Sequence, residues 1–165
     1  MTPWIRSHRF DPISCKIADR HYNRQKIGSP QFVPPGRCLV MRTFDGDAFW
    51  VTSWPFAEYV KHDWPGAWMC SAFRNESEHL SSEMIVRAVA HTRSEWEPPD
   101  LGMVTFVDES KVRSKRDPGY CYLMAGFKVC GRTKGGLLAL QLLPAEMPDA
   151  ESLPELQYSF TEVTT

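Results

Sequence analysis

The sequence lacks the spaced cysteine pairs of a zinc ribbon and the even cysteine set of a disulfide framework. Its five cysteines, at positions 15, 38, 70, 121 and 130, are scattered along the chain. No apolar run approaches the roughly 20 residues that cross a membrane, and the N-terminus has no apolar signal-peptide core. We therefore expect a reducing, cytoplasmic setting without a membrane partner.

Basic residues are missing from the C-terminal stretch, 145–165, which holds five acidic residues. The residues before it carry all 19 basic residues but 15 of the 20 acidic ones. A net charge of −1 argues against a uniformly basic nucleic-acid binder. The densest basic run, Lys111–Arg116, has four charges in six residues, and it is either a solvated loop or a phosphate contact.

A length of 165 residues suits one domain with a sizeable core. We predict an α+β domain over residues 1–144, followed by an acidic, proline-containing tail that lies on the surface or is partly disordered. Residues 1–12 read as irregular. The central mixed sheet should have about six or seven strands flanked by helices. Predicted strands cover 38–43, 48–53, 67–73, 103–107, 127–133 and 137–143, and predicted helices cover 13–22, 54–63, 81–96 and 120–125.

The most informative stretch begins at Gly102. Met103–Val107 is an apolar, β-branched run that suits a buried strand, and the basic run follows it. Pro118 and Gly119 fit the start of a short helix, Gly126 fits its end, and the next strand begins directly afterwards.

That order resembles the second half of the GNAT acyltransferase fold. The segment Tyr122–Phe127, followed by Gly131-Arg132, carries the resemblance. In that family a tyrosine before a Gly-Phe pair often serves as general acid to the departing thiolate of coenzyme A. The resemblance implies acetyl-CoA or another acyl donor, with Tyr122 as the acid. The alternative is a helix that simply ends in glycine, with Tyr122 as a packing residue.

A strand, a polar loop and a serine-capped helix mark the place where GNAT proteins bind the pyrophosphate of the donor. Here the resemblance implies Arg74, Ser81 and Ser82 as donor-binding residues, with either serine as the helix cap. The loop departs from the family pattern because it contains no glycine, and Glu76 and Glu78 would repel a diphosphate. Either the donor sits differently, or acyl-CoA is not the donor.

Four short motifs, in this order, resemble the phage Mom-type DNA modification proteins: His21-Tyr22, Leu80–Ile85, Thr105–Asp108 and the tyrosines before Gly126. Those proteins are GNAT-like and place a small amide-bearing group on the N6 of adenine in DNA. The resemblance implies that the catalytic residues are His21, Tyr22, Ser82, Asp108 and Tyr122, with Tyr120 as a rival to Tyr122.

The same resemblance implies further partners. Iron is a candidate cofactor, for which the suitable ligand types are His21, Tyr22, Asp108 and Tyr122. The backbone of double-stranded DNA would be held by Lys111, Arg113, Lys115 and Arg116. The implied function is a small-molecule-dependent DNA modification that protects phage DNA from restriction in the host cytoplasm. A homodimer is an open expectation.

Two other functions stay open. One is an acyl-CoA-dependent N-acetyltransferase acting on an amine of a small molecule, a peptide or RNA. The other is a catalytically inactive GNAT-like binding module. Each candidate residue also has a structural alternative: the His21-Tyr22 pair could pack and cap a helix, and Asp108 could cap a turn. If the site is real, His21, Tyr22, Ser82, Asp108 and Tyr122 should converge over a splay between the strands at 67–73 and 103–108.

Overall fold

The computed structural model describes residues 2–20, 36–55, 60–111 and 119–154. The described strands and helices are β1 (Trp4–Arg6), α1 (Pro12–Ala18), β2 (Arg37–Thr43), β3 (Ala48–Trp54), β4 (Trp68–Asn75), α2 (Ser81–Glu95), β5 (Met103–Val107), α3 (Tyr120–Met124), β6 (Lys128–Arg132) and β7 (Leu138–Leu142). Short 3-10 turns cover Glu109–Lys111 and Pro144–Glu146. Within these ranges no helix has the length and apolar character needed to span a membrane.

All seven described strands form one sheet in the order β1-β2-β3-β4-β5-β7-β6. The pairing of β4 with β5 is parallel, and the other five pairings are antiparallel. The predicted α+β fold with a central mixed sheet flanked by helices is therefore confirmed. The β5 strand begins and ends where the apolar run of the sequence predicted it.

The two faces of the sheet have separate apolar clusters. Helices α2 and α3 pack on one face, where the core includes Trp50, Trp68 and Phe127. Helix α1 packs on the other face, where Ile17 lies with Phe49 and neighbouring side chains of β2 and β3. The sheet thus places α3 on the same side as α2, over the middle of the molecule.

The prediction that residues 1–12 are irregular is wrong for β1. Trp4 pairs with Thr43 of β2, and its fully buried indole donates a hydrogen bond to the Met84 carbonyl at 2.9 Å. A three-residue strand has too little sequence to show alternation, so its formation depends on the distant partner strand rather than on local pattern.

Two helix boundaries differ from prediction. The α1 helix begins after Asp11, whose carboxylate accepts a hydrogen bond from the Ile13 amide, and it ends at Ala18 rather than near residue 22. The α2 helix begins at Ser81 with Leu80 as its N-cap and without a side-chain cap, so the predicted serine cap is wrong. In the predicted helix over 54–63, Trp54 belongs to β3, residues 60–63 are not helical, and residues 56–59 lie outside the described ranges.

The first part of the tail packs against the body of the domain. Met147 and Leu153 are buried in the core cluster beneath α2, and the Glu151 carboxylate pairs with Arg87 of α2 at 2.7 Å. The Glu151 amide also donates to the Ala90 carbonyl at 3.1 Å. The expectation of a surface tail is therefore wrong for these residues, because two apolar side chains and the backbone of the tail dock on the helix. We call residues 147–153 the strap.

Candidate functional site

The strands β4 and β5 separate soon after they begin. They pair only at Trp68 with Met103 and at Met69 with Val104, although β4 continues to residue 75 and β5 to residue 107. The predicted splay between these strands is confirmed. We use "the splay" for the opening between β4 after Met69 and β5 after Val104.

A bulge in β4 lies beside the splay. Thr52 of β3 faces Cys70 and Val51 faces Ala72, which leaves Ser71 as the extra residue of β4. A bulge bends a strand and increases its twist, which helps β4 to turn away from its parallel neighbour.

The side chain of Thr105 crosses the splay. Its hydroxyl donates a hydrogen bond to the Cys70 carbonyl at 3.2 Å, in place of a backbone contact between the strands. Thr105 is buried and is the polar residue within an otherwise apolar strand. It therefore links the two strands beyond the point where their ladder ends.

Tyr122 of α3 reaches the splay from above. Its phenol oxygen lies 3.5 Å from the Cys70 sulfur. The ring packs edge-on against Phe73 of β4 and Phe127, with centroid separations of 6.4 and 5.5 Å. Helix α3 follows Gly119, whose φ of 74° is a left-handed conformation suited to glycine, and Gly119 lies directly against the side chain of Leu140. The turn at Gly119 thus directs α3 onto the sheet.

Burial keeps both polar groups at this point neutral. It raises the pKa of the Tyr122 phenol well above its ordinary value, and the neighbouring Cys70 and Cys121 thiols add to that shift. Burial also raises the pKa of Cys70 to about 12. At neutral pH a protonated phenol and a protonated thiol face each other, so the phenol can act as a proton donor.

Tyr120, the rival candidate, has a different environment. It lies at the first position of α3 and is 37% exposed. Two residues along a helix point in different directions, so the turn that brings Tyr122 to the splay directs Tyr120 away from it. Of these two tyrosines, Tyr122 is therefore the one that lies at the splay, and a role as general acid stays a prediction.

Asp108 follows β5 and has a structural role. One of its carboxylate oxygens accepts hydrogen bonds from the Ser110 amide at 3.0 Å and the Ser110 hydroxyl at 2.6 Å. These contacts cap the 3-10 turn Glu109–Lys111, as the structural alternative anticipated. A catalytic role for Asp108 stays a prediction.

Arg74, predicted to hold the donor, is engaged with a carboxylate. Its guanidinium Nε lies 2.5 Å from Glu76, which also pairs with Arg20 at 2.8 Å. Hydrogen bonds from Arg20 and Arg74 lower the pKa of Glu76 to about 2, so this exposed carboxylate stays charged. An incoming diphosphate would have to compete with Glu76 for Arg74.

Ser81 and Ser82 lie in the first turn of α2. The Ser81 hydroxyl accepts a hydrogen bond from the side-chain amide of Asn75 at 3.0 Å. A cavity of about 370 Å³ is lined in part by the loop Glu76–His79, which precedes this turn. The carboxylates that line it come from Asp45, Asp47, Glu76 and Glu78. Such a lining disfavours a diphosphate in this cavity.

The remaining predicted residues lie outside the described ranges: His21, Tyr22, Arg113, Lys115 and Arg116. Lys111 ends the 3-10 turn after Asp108. Whether His21 and Tyr22 converge with Ser82, Asp108 and Tyr122 therefore stays a prediction.

Of the four predicted iron ligands, only Asp108 and Tyr122 lie within the described ranges. Within the described ranges, no group of three or more histidine, cysteine, aspartate or glutamate side chains is arranged to hold a metal ion. Asp108 is hydrogen-bonded to Ser110, and the Tyr122 phenol faces a thiol. These two residues alone do not form an iron site.

Sequence reasoning missed Cys70 and Thr105. Both fall within predicted core strands. Thr105 carries a signal, because it is the polar residue of the run Met103–Val107 beside the predicted splay. Cys70 carries none, because Ser71 is the polar residue of its strand and a cysteine within an apolar strand resembles a core residue.

In comparisons with known proteins, no family model and no curated protein matched the sequence, and no solved structure matched the fold.

Proposed function

We propose that the protein is a GNAT-like transferase that modifies a nucleobase amine in DNA, the N6 amine of adenine, and so protects phage DNA from restriction. The observation that carries this proposal is the neutral Tyr122 phenol held at the splay of a mixed sheet. That is the placement which the resemblance to GNAT and Mom-type proteins predicts for the general acid.

The chemistry required is transfer of a group from the donor to the N6 amine of adenine, with a proton supplied to the leaving group of the donor. The lone pair of adenine N6 is delocalised into the ring, so attack on an acyl group needs a base or a metal ion to assist it. The leaving group of the small-molecule donor needs a proton, which a neutral phenol can supply. We assign the second role to Tyr122 and the first to Asp108.

An acyl-CoA-dependent N-acetyltransferase acting on another amine is the second candidate. It is favoured by the start of α2, where no side chain caps the helix and the N–H groups of the first turn are available to an anion. The contacts of Arg74 with Glu76 and the acidic cavity count against it. These contacts favour an acyl donor without a diphosphate over acetyl-CoA.

Mass spectrometry of nucleosides separates the two candidates. DNA from cells that express the chain should contain a modified deoxyadenosine that is absent from DNA of cells with the empty vector. Unchanged nucleosides, together with acetylation of a small amine by the purified protein and acetyl-CoA, would favour the second candidate instead.

A further inference from the structure

The Cys70 thiol has two acceptors within reach. Its sulfur lies 3.5 Å from the Tyr122 phenol oxygen and 3.8 Å from the Ala72 carbonyl oxygen. A thiol has a single S–H donor, so it can donate to one of these oxygens at a time. When it donates to Ala72, its sulfur is free to accept the Tyr122 O–H.

We propose that Cys70 is a positioning residue that changes its hydrogen-bond acceptor as Tyr122 loses its proton. The S–H group donates to the Ala72 carbonyl while the phenol is protonated, and it turns to the phenol oxygen when the phenol has given its proton to a leaving group. The proposal rests on the proposed function, in which Tyr122 is the proton donor.

The environment favours such a partner. Tyr122 is partly buried against the core, and a phenolate formed there loses part of the water that would solvate it, which is unfavourable without a hydrogen-bond donor. A hydrogen bond to the charged form offsets part of that loss. While the phenol is protonated, its contact with Cys70 favours the neutral form and raises the phenol pKa. Once the phenol has lost its proton, the same 3.5 Å contact allows the Cys70 S–H to donate to the phenolate oxygen. The nearby Thr105 hydroxyl lowers the phenol pKa, but its own hydrogen bond goes to the Cys70 carbonyl.

The proton count of the step is simple. One proton leaves the Tyr122 phenol for the leaving group, and none leaves the Cys70 thiol. Burial raises the pKa of the thiol to about 12, so in the resting site, beside a neutral phenol, the thiol keeps its proton at neutral pH. In the proposed step the S–H hydrogen is shared with the phenolate in a hydrogen bond and stays on the sulfur until the phenol regains its proton, so the thiol changes only the direction of its hydrogen bond.

The backbone around Cys70 is held in place for this role. The Thr105 hydroxyl binds the Cys70 carbonyl from β5, and the Ser71 bulge separates Cys70 from Ala72. A cysteine that merely filled the core would act as a small apolar residue and would need no acceptor on either side.

Infrared spectroscopy of the S–H stretching band tests the contact without any assay of activity. A difference spectrum against Cys70→Ala identifies the Cys70 band among the five thiols. The Tyr122→Phe substitution should shift this band, whereas Tyr120→Phe should leave it in place. A Cys70 band that is identical in wild-type protein and Tyr122→Phe would overturn the proposal.

Kinetics test the role of the thiol. At saturating DNA, Cys70→Ala should slow formation of the modified nucleoside about tenfold or more, with the half-saturating DNA concentration unchanged. The Cys70→Ser variant retains a donor and should recover most of the rate. A wild-type rate in Cys70→Ala, or equal rates in Cys70→Ala and Cys70→Ser, would contradict the proposal.

The two tests separate the proposal from the proposed function. If wild-type protein forms no modified nucleoside, the function is wrong, and the infrared comparison still decides whether Cys70 and Tyr122 are hydrogen-bonded. If the nucleoside forms but Cys70→Ala is as fast as wild type, the function stands and the role of Cys70 does not.

Discussion

At the scale of single residues, the surroundings of each candidate side chain decide which chemistry it can perform. Tyr122 is enclosed by Phe73, Phe127 and the Cys70 thiol, so its phenol stays neutral and is held in one orientation. Asp108 lies at a strand end and directs its carboxylate to the backbone of the next turn. The surroundings of Tyr122 suit a proton donor. The surroundings of Asp108 suit a carboxylate that caps the turn after β5.

Asp108 should therefore be tested with two substitutions. Removal of the cap in Asp108→Ala should lower the free energy of unfolding by about 1 kcal/mol, measured by urea denaturation. Asp108→Asn keeps an oxygen that can accept from Ser110 and should retain most of that stability while losing the charge needed by a base. Ser110→Ala is the matched control, because it removes the hydroxyl contact and leaves the carboxylate.

If Asp108 acts as the base, Asp108→Asn should lose nucleoside modification while its unfolding midpoint stays near that of wild type. If Asp108→Asn forms the modified nucleoside at the wild-type level, Asp108 is not the base and only caps the turn. Asp108→Ala alone cannot make this distinction, because it removes the cap and the charge together.

A residue's place at the splay could be predicted from the sequence only where a motif accompanied the residue. Tyr122 was found through its position before Gly126 and Phe127, and it lies at the splay. Cys70 was not found, because a cysteine within an apolar strand is indistinguishable from a core residue until the opposite strand is known to diverge. Arg74 was predicted from its place before α2, but its pairing with Glu76 depends on loop geometry.

At the scale of elements, the strap contributes to the core through two apolar side chains. Leu153 is 8% exposed, whereas Leu143, directly after β7, is 48% exposed. Leu153→Ala should lower the free energy of unfolding by about 2 to 4 kcal/mol, because it leaves a cavity under α2. Denaturation of Leu143→Ala, the same change at an exposed site, should show a clearly smaller loss. Equal losses would mean that the strap does not stabilise the domain.

The basic run carries a separate prediction. Replacement of Lys111, Arg113, Lys115 and Arg116 by alanine should weaken binding to all duplex sequences alike, because phosphate contacts carry no sequence information. Removal of each phosphate contact should reduce the slope of log affinity against log salt concentration by roughly 0.9. Titration of labelled duplexes at several salt concentrations measures both effects.

A double variant, Lys128→Ala with Lys134→Ala, is the control, since it removes exposed positive charge elsewhere on the surface. Unchanged affinity and salt slope in the fourfold variant would assign the run to a solvated loop.

Elements with a strong local pattern could be predicted well. The apolar run Met103–Val107 gave β5, and residues at helical spacing from Met84 to Thr92 gave the buried face of α2. β1 and the strap could not be predicted, because each is held by distant partners: β1 by β2, and the strap by α2. Non-local burial of this kind has no periodic signal in the sequence.

At the scale of the whole molecule, a single histidine ties both ends of the described chain to α2. The imidazole of His91 is fully buried, with one ring nitrogen 2.8 Å from the Thr2 hydroxyl and the other 2.7 Å from the Glu151 carbonyl oxygen. Neutral imidazole satisfies both contacts by accepting from the hydroxyl and donating to the carbonyl. The segment before β1 and the strap therefore share one anchor.

This anchor should weaken in acid. Burial lowers the pKa of His91 below its ordinary value of 6.5, although the carbonyl and carboxylate of Glu151 oppose the shift and Arg87 reinforces it. The unfolded chain then binds a proton at a higher pH than the folded protein does. The contribution of His91 to stability is fully present above pH 6.5, the ordinary pKa of histidine, and it is lost as the pH falls through the lowered pKa of the folded protein.

Urea unfolding at pH values from 8 to 5 measures this effect. The free energy of unfolding should fall more steeply below pH 6.5 in wild type than in His91→Gln, which has no titratable ring. His62, whose pKa is also lowered by burial, contributes in the same direction to both proteins and cancels in the comparison. Equal slopes in wild type and His91→Gln would exclude His91 as the acid-sensitive anchor.

The overall architecture could be predicted because fold class depends on the order of many elements, and single errors at β1 or at helix ends do not change that order. The site depends on a few contacts between distant residues, such as Cys70 with Tyr122, which no local pattern specifies. For this reason the sequence located the splay but not the thiol within it.

Nucleoside mass spectrometry of DNA from cells that express single variants tests the central claim, that Tyr122 is the proton donor of a nucleobase-modifying site. Tyr122→Phe retains the ring packing against Phe73 and removes only the hydroxyl, and Tyr120→Phe is the matched change at an exposed position. Wild-type protein and Tyr120→Phe should yield a modified adenine nucleoside, and Tyr122→Phe should yield none. Wild-type levels of the modified nucleoside with Tyr122→Phe, or its absence with wild-type protein, would contradict the claim.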